Sequence, residues 1–143
     1  MHVTMLLSDA AQVADNKLYI LGGGWSVIGP QPAPSAVAIK LSVDVHEAAA
    51  EHHWELFLED ADGQPVMVQT DVGLAPIEVQ GDFTVMPPAD GPAGAPVDVA
   101  LAINVGPIPL EPGSRFAWRL VIDGETPEGA VASFSTRPLQ AEL

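Results

Sequence analysis

The chain has 143 residues, 48% of them hydrophobic, and 19 acids against 5 basic residues give a net charge of −14. That length suits a single domain, and the hydrophobic share excludes a disordered tail. The charge excludes phosphate binding through clustered Lys and Arg, and attraction to an anionic membrane surface.

There is no cysteine, so disulfides, thiolate metal sites and a Cys nucleophile are excluded. No charged-then-apolar leader opens the chain, and its longest apolar runs fall short of a membrane span. The expectation is a soluble, cytoplasmic protein.

In chain order, residues 3–7 predict a first short strand. Residues 18–28 read as a second, interrupted by Gly22, Gly23 and Gly24. Glycine weakens a strand, so three in a row require a backbone reason. Leu18 and Ile20 share one parity, Trp25 and Val27 the other. If both pairs face the core, the phase slips by one residue, which predicts a β-bulge or a sharp bend at the glycines rather than a ligand cradle. The stretch lacks the strand-to-helix context of a phosphate loop.

Val37, Ile39, Leu41, Val43 and Val45 then alternate with polar or small residues, the pattern of a strand with one buried face. Residues 46–53 (HEAAAEHH) are the one helix-like piece, too short to stand alone and suited to carrying the chain between sheets. The same period of two recurs at Trp54, Leu56 and Leu58, at Val97 to Val105, and at Phe116 to Ile122. Residues 66–70, 83–86 and 131–136 are shorter candidates. Pro-rich loops occupy 29–34, 87–96 and 106–113, and Asp62-Gly63 and Asp123-Gly124 mark turns. The fold predicted for 1–143 is all-β, a single antiparallel β-sandwich of about eight or nine strands with at most one short helix.

Candidate chemistry is sparse. His52 and His53 are adjacent, point to opposite faces of a strand and cannot share a metal; both read as exposed histidines near a strand start. Asp60 and Asp62 lie in one turn, Asp123 and Glu125 in another. If their strands run parallel in space, these four acids crowd one end and form a loop-end Ca²⁺ site, the alternative to ordinary Asp-rich turns. Arg119 lies on the polar face of its strand and predicts a cross-strand ion pair. Phe57 has the parity opposite to Trp54, and Leu6, Leu21 and Val121 also fall off their main core parity. An apolar second face needs a loop, a further layer or a partner chain to cover it. Asp9 is suited to fixing the turn at 14–17 through backbone hydrogen bonds.

The segments Leu6-Leu7-Ser8-Asp9-Ala10 and Asn16-Lys17-Leu18-Tyr19-Ile20-Leu21-Gly22-Gly23, with the later Leu110-Glu111-Pro112-Gly113-Ser114-Arg115-Phe116-Ala117-Trp118, resemble a family of small bacterial proteins defined only as a domain of unknown function. Here Asn16 stands in place of a turn glycine. The resemblance implies a β-sandwich and carries no functional residues with it.

The functional expectation is a non-enzymatic interaction module that self-associates or binds another protein, with Trp25, Phe57 and Arg119 as contact residues and no cofactor. The alternatives are a loop-end Ca²⁺ or small-ligand binder, or an enzyme using the turn acids.

Overall fold

The computed structural model describes residues 1–48 and 50–140. In chain order the strands are β1 (His2–Ser8), β2 (Ala10–Ala14), β3 (Lys17–Leu21), β4 (Val27–Ile28), β5 (Ser35–Val43), β6 (Glu51–Asp60), β7 (Met67–Thr70), β8 (Gly73–Pro76), β9 (Glu78–Thr84), β10 (Val97–Val105), β11 (Arg115–Ile122) and β12 (Val131–Thr136). A three-stranded sheet, β1-β5-β10, faces a five-stranded sheet, β4-β12-β11-β6-β9. Pairing is antiparallel except where β4 runs parallel to β12. The fold is all-β, as the alternation predicts.

The core lies between the two sheets. Val37, Ile39, Leu41 and Val43 of β5 meet Trp54, Leu56 and Leu58 of β6 and Phe116, Trp118, Leu120 and Ile122 of β11. All are buried, and each is worth about 1.5–3 kcal/mol in apolar surface removed from water. The helix expected over 46–53 is a 3-10 turn at Val45–Glu47, and strand β6 has begun by Glu51. The piece still carries the chain from one sheet to the other.

A third layer covers the outer face of the smaller sheet. Hairpin β2–β3 lies over β5 and β10, and Ala11 packs there against Ala36 and Ala38, with Leu18 and Ala102 alongside. Small side chains on that face let the hairpin approach closely. Two asparagines hold it by their amides. Asn104 Nδ2 donates to the Ala11 carbonyl at 2.8 Å, and the Ala11 N–H donates to Asn104 Oδ1 at 3.2 Å. Asn16 Nδ2 donates to the Asp98 carbonyl at 2.9 Å, and Ala100 N–H donates back to Asn16 Oδ1 at 3.3 Å. Each amide pairs as a strand's peptide group would. Asp15 and Asn16 both have positive φ, 52° and 55°, as a two-residue type I′ turn requires.

Candidate functional site

Of the two readings of the triple glycine, the structure has the bend and not a bulge within a strand. Strand β3 ends at Leu21, and Gly22 to Gly24 take the chain from the outer layer to the edge of the core. Asp9 N–H donates to Leu21 O at 3.0 Å, and Gly24 N–H donates to Leu7 O at 2.8 Å. Gly22 has φ +61°, and a Cβ there would collide with the Asp9 carboxylate. Asp9 thus packs against Gly22 rather than serving the turn at 14–17. The parity argument fails because Leu18 packs on the outer face of the smaller sheet, Trp25 packs against the main core, and Ile20 and Val27 are exposed.

Beyond the glycines Trp25 stands edge-to-face on Phe134, with ring centroids 6.0 Å apart and planes at 88°. Phe134 in turn lies 5.7 Å from Phe116. Strand β4 pairs with the end of β12, and the chain turns through 29–34. Arg137 pins this turn: its N–H donates to Ile28 O at 2.8 Å and its Nη1 to Gly29 O at 3.0 Å. A cavity of about 280 Å³ opens to the surface here. Trp25, Leu58, Trp118 and Phe134 form its inner wall, Ile108 and Leu110 line it from the 106–113 loop, and residues 29–34 complete the rim. Pro30, Pro32 and Pro34 bring no N–H to that rim, so it presents few backbone donors. The charged residues of the lining are Asp9 and Arg137. The Trp25 indole N–H is buried without an acceptor in the protein, a condition that costs about 1–3 kcal/mol.

A second cluster occupies the opposite end of the sandwich. His52 is buried, not exposed as its sequence position predicts, because it continues the inward parity of Trp54 and stacks on Phe83 at 5.2 Å. Its Nδ1 lies 2.6 Å from Asp123 Oδ2 and its Nε2 lies 2.9 Å from the Glu47 carbonyl. Both partners are acceptors, so the imidazolium, donating twice, satisfies the site best. The hydrogen bond to Asp123, then that to the Glu47 carbonyl, raises the His52 pKa. The same bond to His52, then one from His53 N–H, lowers that of Asp123.

The four turn acids are not brought together. Strands β6 and β11 are antiparallel, with Phe116 opposite Asp60 and Ile122 opposite Trp54. Asp60 and Asp62 therefore lie at one end and Asp123 and Glu125 at the other, about 20 Å apart along the strands. Asp60 Oδ1 instead accepts from the N–H groups of Asp62 at 2.9 Å and Gln64 at 3.0 Å, closing its own turn. Phe57 is not left bare for a partner chain: the Arg119 guanidinium lies 5.2 Å from its ring centre. Arg119 makes the cross-strand pair its position suggests, with Nε donating to Glu59 Oε1 at 2.8 Å. Trp25 alone of the three expected contact residues lines the cavity. The sequence reading missed Leu58, Trp118, Phe134 and Arg137 as its companions. The Pro-rich loops were the available signal, but nothing local shows that 29–34 and 106–113 meet.

Fold and site together define an all-β sandwich with an apolar chamber at one end. The chain belongs to the family of unknown function DUF6941, whose model matches residues 3–131. The matched span includes Asp9, Trp25, both Pro-rich walls and Trp118, and it stops short of Phe134 and Arg137. No curated protein and no solved structure was found to match the chain.

Proposed function

We propose that the protein is a non-catalytic binding domain whose ligand seat is the cavity beside Trp25. One observation carries the reading: a chamber of about 280 Å³ walled mainly by aromatic and aliphatic side chains. Protein interiors are otherwise close-packed, and apolar concavities with few polar groups are the usual form of small-molecule sites. The non-enzymatic part rests on chemistry. The lining holds one acid and one arginine but no histidine, while His52 stands at the far end with both ring nitrogens engaged. The net charge of −14 opposes nucleic acid as the ligand, and among the described residues no helix is long and apolar enough to cross a membrane.

Calorimetric titration with naphthol tests the seat. Saturable heat is expected from the natural chain and little from Ile108→Phe, which adds bulk to the cavity wall. Equal heats from both proteins, or no saturation, would remove the reading.

A second reading, self-association, draws on a different observation. Leu6, Tyr19 and Leu21 are 43, 56 and 71% exposed on the side carrying the hairpin. Light scattering is expected to give a mass above that of one chain, and a monomer at every concentration would end this reading without touching the first.

A further inference from the structure

The geometry points to a small amphiphile with a carboxylate head as the occupant of the cavity, its apolar body among Trp25, Leu58, Trp118 and Phe134 and its carboxylate on the Arg137 guanidinium. This rests on the ligand-seat reading and adds the chemistry of the head group.

Cations are scarce in this chain, with 5 Lys and Arg in all. Lys40 lies 3.7 Å from Asp98, and Arg119 lies 2.8 Å from Glu59. Arg137 differs. Among the described residues its one side-chain hydrogen bond goes to a neutral group, the Gly29 carbonyl at 3.0 Å, and the residue lines the cavity. A guanidinium is a planar fork of donors that matches a carboxylate in two parallel bonds. The bond to Gly29 occupies Nη1 and leaves the other donors of the fork for an incoming anion.

Among the other polar groups of the lining, the Trp25 indole N–H, which has no acceptor in the protein, and the Gln31 amide are neutral donors that can assist Arg137 but add no positive charge. Pro30, Pro32 and Pro34 have no N–H. Thr136 Oγ1 already accepts from Ser114 N–H at 3.0 Å and donates to Glu111 O at 2.6 Å. Asp9, the remaining charged residue, repels a carboxylate and so favours its placement toward Arg137. The overall negative charge acts weakly on the head group, because the Debye length at physiological salt is about 8 Å and the nearest charges dominate.

Phenylpropionate, phenylpropionamide and phenylpropylamine share one body and differ in head charge. Each is titrated into the full chain and followed by tryptophan fluorescence. Arg137 is exposed to solvent on one side, so the acid is expected to bind up to about fivefold more tightly than the amide or the amine. Arg137→Gln is expected to bring the acid down to the affinity of the amide while leaving the amide unchanged, and Arg137→Lys to keep part of the preference. Added salt should weaken the acid alone.

Equal affinity for acid and amide overturns the head-group assignment and leaves the seat standing. Tightest binding of the amine overturns it in favour of Asp9 as the head-group partner. Failure of all three to bind overturns the seat as well. Should Arg137→Gln loosen the 29–34 turn, acid and amide would weaken together, and the comparison of the three ligands on the natural chain decides by itself.

Discussion

Gly81 and Trp54 show what single residues contribute. They are directly opposed in the β6–β9 pair, and a Cβ on Gly81 would lie 2.8 Å from the indole Cζ2. The ring lies across the glycine and holds its place in the core. Gly81→Ala is therefore expected to cost about 1–3 kcal/mol by overpacking, measured as a lower urea midpoint with an unchanged slope. The inward parity of Trp54 was legible in the sequence. The need for Gly81 was not, since it depends on which strand lies next to β6. His52 gives a second expectation at this scale. Its folded pKa is raised above 6.5, so its contribution is complete below that value and is lost as pH rises through the folded pKa. The Asp123 pKa is lowered from 3.8, so its contribution is present above 3.8 and is lost as pH falls through the folded value. From these two groups, stability is greatest between 3.8 and 6.5. His52→Gln should flatten the alkaline limb of a melting-temperature profile, removing about 1 kcal/mol, a value kept low because Asp123 is half exposed. An unchanged alkaline limb would refute the assignment.

At the scale of elements, hairpin β2–β3 is held more by amides than by buried area. Its contact surface is mostly alanine, and the Asn104 and Asn16 clamps supply four hydrogen bonds to backbone. Asn16 explains its own presence at a turn position that glycine would also fit: it tolerates positive φ, and its amide caps the outer edge of β10. Asn104→Ala should cost about 1–3 kcal/mol locally, seen as faster amide hydrogen exchange through the hairpin. Asn16→Gly preserves the turn but removes the clamp, so exchange at Ala100 should rise while the global urea midpoint moves little. Slow exchange at Ala100 in that variant would contradict the clamp. The period-two pattern made β5, β6, β10 and β11 legible, and β1, β7 and β12 stood out as shorter candidates. It could not reveal β2 or β8, whose residues are small or carry no alternation, nor that Leu18 and Trp25 serve different layers.

For the whole molecule, the two ends of the sandwich divide their roles. One end is closed by His52, Asp123 and the 3-10 turn; the other holds the apolar chamber under the Pro-rich loops. The Ca²⁺ alternative depended on bringing acids from both ends together, and the antiparallel pairing of β6 with β11 forbids it. Each wall of the chamber was readable as a loop or an aromatic strand. Their convergence was not, because it is set by long-range strand order. The three tryptophans report on this division directly: Trp25 and Trp118 line the chamber, and Trp54 lies under Gly81 away from it. The most direct measurement is the set of indole N–H resonances during titration with phenylpropionate. The Trp25 and Trp118 signals are expected to shift together and saturate while that of Trp54 stays in place. A shift confined to Trp54, or no saturable shift at Trp25 and Trp118, would contradict the assignment of the chamber as the ligand seat.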